Sequence, residues 1–431
     1  MNLLDANDAA GTYPPSWYAD RTPPLPRFSS LEGERRADVC VVGAGYTGLH
    51  AALRLAASGL DVALVEAQRV GFGASGRNGG QVGSGQRQDQ AWLEDHFGKT
   101  VAHQLWDIAE SAKALTRSTA AKLTVDCEIT PGIAHACSSK KSAEAEHRYA
   151  EKLKTDYGYS ELDCLGCDDF RAVVLSKRYH GGTIDRGAFH LNPLAYVLGL
   201  ARHAADSGVQ IYENTRAVEI GPGSVLCDRG RVRAENIIIA ANGYLGKLEN
   251  KTAAHVLPIN SFVIATEPLG VRGKQILAKP IAVADDKFVV NYFRQAADSR
   301  LLFGGGENYG YRFPRNIARR VRPSLEAVFP QLANVHITHA WGGTLAVTRT
   351  RLPYLGRSQD GVWSAGGFSG HGVAMAGLAG HAIAEAILGE GRTFDVFERI
   401  QPPPFPGGPL SRHPLLVAAM LWFALRDRLS I

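Results

Sequence analysis

The sequence predicts an α/β chain, α+β overall, in which a parallel, doubly wound domain is interleaved with a second domain built on mixed or antiparallel sheet. Three observations carry this reading. Between residues 38 and 66 an apolar strand runs into a glycine turn, a helix and a second strand, a βαβ unit of about thirty residues. From residue 256 to 306 strands follow one another with less clean alternation, as in a separate sheet. Segments of the first type then return late in the chain, so both domains are discontinuous. At 431 residues there is length enough for two domains or one elaborate one.

Each element follows from local pattern. Residues 1–35, rich in Pro, Tyr and Ser, read as an ordered arm or a lid rather than a core element. ADVCVVGAG is an apolar strand entering glycines, residues 46–58 carry helical periodicity, and Gly59 stops them. Residues 61–66 form the second strand. The chain then reads helical from Asp89 to about Lys122, as a strand over 127–138 and as a charged helix to Thr155. Residues 193–207 are an amphipathic helix closed by Gly208. Short strands follow at 209–212, 217–220, 224–227 and 236–241. A strand at 361–365 passes through FSGHG into a final helix, 373–388, ended by Gly389. The intervals that result are an N-terminal arm (1–35), a first domain (36–110, 176–250 and 340–392), a second domain (111–175 and 251–339) and a C-terminal tail and helix (393–431).

Composition narrows the function classes. The 47 basic and 42 acidic residues are scattered together, and no basic run appears, which argues against a nucleic-acid partner. The first residues lack both the basic start and the apolar core of a secretory signal. No apolar run reaches transmembrane length; the nearest, LLVAAMLWFAL at 415–425, suits a packed terminal helix better than a membrane-surface anchor. The six cysteines are dispersed, and the one close pair, Cys164 and Cys167, lacks the second pair or histidines of a zinc site. No metal is expected, and the thiols read as reduced, in a cytoplasmic protein.

The chemistry lies in three glycine-bearing turns. Gly43-Ala44-Gly45-Tyr46-Thr47-Gly48 is a GxGxxG fingerprint placed between strand and helix. Gly43 permits the tight turn, Gly45 lets a pyrophosphate approach the backbone, and Gly48 allows close helix–strand packing over a helix N-terminus that faces the anion. Glu66, followed by Ala67, ends the next strand, where a carboxylate can bind both ribose hydroxyls of an adenosine and would repel a 2′-phosphate. This is a Rossmann-like dinucleotide site. The stretch VGFGASGRNGGQVGSGQ, residues 70–86, spends seven residues on glycine. A flexible linker would continue in Ser, Pro and charge. Here Gly73, Ala74, Gly79 and Gly80 are interleaved with Ser75, Arg77, Asn78 and Gln81, groups suited to a diphosphate, a ribityl chain and a flavin edge, which favours FAD over NAD. The third turn, residues 364–373, includes Gly367, Ser369, Gly370, His371, Gly372 and Val373 and again joins a strand to a helix, whose N-terminus could stabilise negative charge on a reduced flavin. His371 reads equally as a flavin contact or as a residue capping the turn.

Together GAGYTG, GFGASGRNGGQ and GGFSGHGV resemble the D-amino-acid-oxidase-like FAD flavoproteins, which include glycine and sarcosine oxidases. HLNPLAY, ENIIIAANGYLG and VVNYFRQAADSRLLFGGG, with PFPGG and LRDRL near the end, extend the resemblance over nearly the whole chain. It implies FAD, and hydride transfer from a C–N bond to the flavin: an amine becomes an imine, water hydrolyses it, and oxygen or another acceptor takes the electrons. It also implies that Gly43, Gly45, Gly48 and Glu66 meet the adenosine diphosphate, that the backbone at Val218 meets the adenine, and that residues 75–81 and 369–372 flank the flavin. Asn242, where a strand ends, and Gly342 join the cofactor set.

Two departures shape the expectation. Sarcosine oxidases continue the last motif with Phe-Lys, the lysine holding the substrate carboxylate, whereas this chain has Val373-Ala374. They also attach flavin through a cysteine upstream, and residues 342–349 contain none. The resemblance thus implies noncovalent FAD and a small-molecule amine with no carboxylate beside its oxidised carbon. Gamma-glutamylputrescine, whose reacting end is a primary amine, meets that requirement. The alternative is a secondary amine or amino acid (L-pipecolate, glycine, sarcosine or a D-amino acid) with oxygen or a quinone as acceptor, and Arg349 or Arg351 could partner such a carboxylate. Tyr292, Phe293, Phe303, Tyr309 and Tyr311 are candidate pocket walls, most of them expected to be core. No catalytic base is assigned.

Overall fold

In the computed structural model, which describes residues 3–308, 310–359 and 361–407, the Val39–Val42 strand lies inside a six-stranded sheet. The order across that sheet is Tyr354–Gln359, Val362–Gly366, Asn236–Ile239, Val39–Val42, Val62–Val65 and Gln210–Tyr212. All but the first are mutually parallel. VCVV and VALV are buried at every position, as strands covered on both faces must be. The chain leaves the Val39–Val42 strand toward Val62–Val65 on one side and returns to Asn236–Ile239 on the other. The order therefore reverses at the carboxyl end of Val39–Val42, where open α/β sheets form a ligand crevice.

The Tyr46–Ala56 and Gly372–Ile387 helices both begin at that end and pack on each other. Their approach is close because Gly380 has no side chain: a Cβ there would stand 2.0 Å from the Thr47 carbonyl oxygen. A nine-stranded mixed sheet forms the second layer. It runs Ile337–Val347, Leu257–Thr266, Leu301–Asn308, Tyr292–Gln295, Ala282–Asp285, Thr130–Ala136, Gly182–His190 and Gln81–Val82, with Leu162–Leu165 also paired to Gly182–His190. The Gly182–His190 strand, which falls in a sequence interval of the first domain, and the Ile337–Val347 strand, which crosses the 339/340 boundary, are hydrogen-bonded into this second sheet. A small four-stranded sheet joins Gly33–Arg36 to the meander of residues 217–233.

Several elements differ from the sequence reading for identifiable reasons. The N-terminal arm is part of the core: Trp17 and Tyr18, on the Trp17–Arg21 helix capped by Ser16, are 3% and 0% exposed. The helical stretch from Asp89 is two helices, Gln90–Phe97 and Lys99–Ala120, broken at Gly98 with φ +80°. The Gly372–Ile387 helix is not the last, since Arg392–Arg399 follows it. Phe293 and Phe303 are core, stacked 5.5 Å apart between centroids, and Tyr311 is exposed at the surface. Tyr309 and the apolar 415–425 segment lie outside the described residues. Among the described residues no single helix is long and apolar enough to cross a membrane, and no group of three or more His, Cys, Asp or Glu could hold a metal ion. All six cysteines are free thiols.

Candidate active site

The carboxyl ends of the parallel strands bring distant residues to one crevice. Gly43 follows Val42, Glu66 follows Val65, Ala240 to Asn242 follow Ile239, and Gly367 follows Gly366. Gly43 takes φ +109° and its Cβ would meet the Ala240 carbonyl at 2.8 Å, so the turn admits only glycine. A Cβ on Gly48 would sit 1.9 Å from the Gly43 carbonyl oxygen, which is the close helix–strand packing read from the fingerprint. The Tyr46–Ala56 helix has no side-chain cap of its own at Gly45; the Tyr46 N–H donates to Ser75 Oγ at 3.1 Å. Tyr46 and Thr47 are otherwise buried, the Tyr46 hydroxyl donating to the Ser75 and Pro193 carbonyls.

Glu66 is partly buried beside this turn. Its carboxylate accepts from the backbone N–H of Ala44 at 2.8 Å and of Gln68 at 3.0 Å. Burial raises its pKa, and those N–H groups oppose the rise. Its own carbonyl accepts from Thr215 N, which ties it to the segment entering the Ala217–Gly221 strand. There Val218 is 50% exposed, and Ala67 continues the chain beyond Glu66.

The 70–86 loop is held largely by the protein itself. Gly71, Gly80 and Gly85 have left-handed φ, and a Cβ on Gly76, Gly79 or Gly80 would meet neighbouring atoms at 2.3, 2.7 and 2.0 Å. Gly73 and Ala74 lead into a short 3-10 turn whose Gly73 faces the Tyr244 ring. Asn78 bonds the carbonyls of Ala74 and Ser75 and the N–H of Gly80, while Gln81 Nε2 donates to Val283 O. Arg77 turns inward: its side chain is 1% exposed, paired with Asp8 at 2.6 Å, and also donates to Phe72 O and Gly342 O. Gly342 itself leaves room for the Phe313 ring. The glycines that sequence reading assigned to ligand approach are thus in part required by packing, a constraint that spacing along the chain cannot reveal.

The third turn lies opposite. Asn242, at φ +44°, accepts from Gly367 N at 3.0 Å and so couples two strand ends. Ser369 N bonds the Ala346 carbonyl, and Gly370 has φ +90° with open space where a Cβ would be. His371 caps the Gly372–Ile387 helix through its backbone, and no side chain covers that N-terminus. His371 Nε2 is buried and finds no hydrogen-bond partner among the described residues. Burial, with the Arg87 guanidinium nearby, holds this imidazole down at about 4, so it is neutral at pH 7. A Cβ on Gly372 would meet Phe368 Cβ at 3.5 Å, an ordinary van der Waals contact, so the protein's own packing does not require glycine there. Val373 and Ala374 are 7% and 1% exposed.

A buried polar cluster adjoins this turn. Lys113 Nζ donates to Ser84 Oγ at 2.6 Å and to the Tyr159 hydroxyl at 3.1 Å, and pairs with Glu110 at 2.7 Å. Ser84 and Tyr159 both donate to Asp185, at 2.6 and 2.5 Å. These residues come from four separate segments, so no local motif marks them.

Two helix N-termini without a side-chain cap at their N-cap residues, a carboxylate at the end of the second strand and the buried Nε2 of His371 meet at a topological switch point, where open α/β sheets bind dinucleotides. A family model described as FAD dependent oxidoreductase (DAO) matches residues 38–386, and the chain belongs to that family. It is 42% identical to the probable oxidoreductase OrdL of Rhizobium meliloti over 96% of this chain and 97% of that one. It is 36% identical to the gamma-glutamylputrescine oxidoreductase of Escherichia coli over 96% and 99%. The fold matches glycine oxidase from Geobacillus kaustophilus with a TM-score of 0.70 at 20% identity, covering 84% of this chain and 98% of that one. The protein is an FAD-dependent oxidoreductase, and the open space at Gly370, the two helix N-termini that lack a side-chain cap at their N-cap residues and Glu66 fit that cofactor.

Proposed function

We propose that the protein oxidises the C–N bond of a primary amine whose carboxylate lies away from the reacting carbon, gamma-glutamylputrescine being the substrate that fits best, with noncovalently held FAD and in the cytoplasm. The observation that carries this reading is the start of the Gly372–Ile387 helix. It bears Val373 and Ala374, both buried and apolar, and offers no cation to a carboxylate beside the oxidised carbon. Identity to the Escherichia coli gamma-glutamylputrescine oxidoreductase across nearly both chains supports the choice. The absence of cysteine from residues 342–349 supports noncovalent attachment.

In this reading the Gly43–Gly48 turn and Glu66 hold the adenosine diphosphate, with Val218 beside the adenine. Ser75 to Gln81, Asn242, Gly342 and Gly367 to Val373 surround the remainder. FAD held by these residues would supply the two-electron acceptor for the hydride of the amine carbon and relay the electrons to oxygen, and the imine so formed would be hydrolysed to an aldehyde and ammonia. The chain positions the amine and disfavours its ammonium form by desolvation. Neutral His371 accepts a hydrogen bond from the amine N–H at Nε2, leaving the nitrogen lone pair free to assist hydride departure.

The test is an anaerobic panel of amines on purified protein, read by loss of flavin absorbance. Rapid bleaching by gamma-glutamylputrescine, with slow or no bleaching by L-pipecolate, sarcosine and glycine, is expected. Bleaching by L-pipecolate and none by gamma-glutamylputrescine would reject the reading.

A further inference from the structure

Two buried guanidinium groups in this protein are neutralised by carboxylates, and a third, Arg294, donates to the Gly79 and Leu191 carbonyls and the Tyr18 hydroxyl. Arg69, 8% exposed, pairs with Glu213 at 2.9 Å, and Arg77, 1% exposed, pairs with Asp8 at 2.6 Å. Arg87, partly buried, has neither a carboxylate nor such a set of acceptors among the described residues. Its Nε donates to the Ser369 carbonyl at 3.2 Å, in the turn that carries His371. Among the described residues no carboxylate stands within ion-pair distance of it, although the field of Glu307 reaches it. Burial and the like charge of Arg351 both act against its protonated form.

Arg351 comes from a different segment, the turn after the Ile337–Val347 strand, at φ +62°. Its guanidinium lies over the Phe288 ring, 5.0 Å from the centroid, and no carboxylate pairs with it among the described residues. Gln88 Nε2 ties the two segments by donating to Thr350 O at 2.9 Å. The turn that Arg87 bonds also carries the buried His371 Nε2, unpartnered among the described residues. Two like charges brought together are unfavourable unless an anion joins them. A guanidinium fork is matched to a planar carboxylate.

We propose that Arg87, with Arg351 beside it, holds a carboxylate that the amine substrate carries away from its oxidised C–N bond, and that this contact decides which amines are accepted. The inference rests on the amine-oxidising reading above and deepens it. It assigns to a site at the third turn the recognition that the apolar Val373-Ala374 pair cannot supply.

The experiment compares gamma-glutamylputrescine with its α-carboxamide as anaerobic reductants of the purified holoenzyme and of Arg87→Gln, Arg87→Lys and Arg351→Gln. The wild type should need roughly 30-fold more carboxamide than acid for half-saturation, the loss typical of a buried charge partner. Arg87→Gln should lose that preference, with its limiting rate of reduction within about threefold of wild type, as for removal of a uniform binding contact. Arg87→Lys should fall between. Binding of the unreactive gamma-glutamyl-n-propylamide, followed by perturbation of the flavin spectrum, should weaken in parallel. Equal half-saturation in wild type and Arg87→Gln, or equal losses for acid and amide, would overturn the proposal. A lowered flavin midpoint potential in Arg87→Gln with the acid preference intact would also overturn it, because the arginine would then serve the cofactor. Should another amine reduce the wild type in place of gamma-glutamylputrescine, the substrate reading fails separately, and the acid–amide comparison moves to that amine. An acid preference abolished by Arg87→Gln upholds the anchor, and a substrate without any carboxylate removes it.

Discussion

At Gly48 one absent methyl group sets the distance between the first helix and its strand. Gly48→Ala would place Cβ 1.9 Å from a backbone oxygen that cannot move without opening the Gly43 turn. A loss of about 3 kcal/mol in denaturant-unfolding stability is expected, at the upper end of overpacking effects. That requirement was legible in the sequence because strand, glycine spacing and helix are contiguous. The roles of Arg77 and Arg87 were not. Both lie in or beside the glycine-rich loop, yet one turns inward to Asp8 and the other toward Ser369, and only the fold decides which. Three buried histidines are likewise settled by packing. Burial holds His50 and His190 down at about 3 and His371 at about 4. The unfolded chain takes up protons near pH 6.5 that the folded chain refuses until much lower pH. Their contribution is therefore complete above about pH 6.5 and falls as pH falls toward 4, by about 2 kcal/mol for each at pH 5. Chemical denaturation across that range should show stability level above pH 7 and declining below 6.5; a rise on acidification would contradict these assignments.

Between elements the decisive contacts are those that sequence distance hides. Gly377 and Gly380 let the Gly372–Ile387 helix lie against Tyr46–Ala56, with Gly380 facing the Thr47 carbonyl. The pattern AMAGLAGHA reads simply as an apolar helix, and its partner could not be named from it. Gly380→Ala should separate two helix N-termini that serve one ligand, weakening FAD retention on gel filtration as well as lowering the melting temperature. The N-terminal arm supplies a second case. Asp8 caps the buried Arg77, and Asn7 Nδ2 donates to the Tyr311 carbonyl while its Oδ1 accepts from Phe313 N. Removing one partner of a buried pair strands the other charge, so Asp8→Ala should cost about 3–5 kcal/mol in unfolding measurements. Arg77→Met, which leaves only a carboxylate able to reach water, should cost less. A chain region read as a peripheral arm is thereby part of the core, because Pro-rich spacing conceals Trp17 and Tyr18.

On the scale of the molecule, the parallel sheet collects strand ends drawn from residues 42, 65, 239 and 366 at one crevice, and the nine-stranded sheet closes over it through Gln81–Val82 and Ile337–Val347. The βαβ unit announces the first half of this arrangement locally. The second half depends on which late segments rejoin the sheet, and the polar cluster of Ser84, Lys113, Tyr159 and Asp185 depends on four segments meeting, which no periodicity encodes. Acid precipitation of the purified protein should release unmodified FAD to the supernatant, whereas flavin retained in the pellet would indicate a covalent link.

The convergence of three turns on one cofactor is tested most directly by the FAD dissociation constant of the apoprotein, followed by flavin fluorescence, for wild type and for one substitution in each turn: Gly45→Val, Ser75→Ala and Gly372→Val. The expected result is one FAD per chain in the wild type and weaker binding in every variant, Gly372→Val included, although its Cβ would meet no protein atom closer than 3.5 Å. Wild-type affinity retained when the 372 position is filled, or no FAD uptake by the wild type, would contradict a shared site.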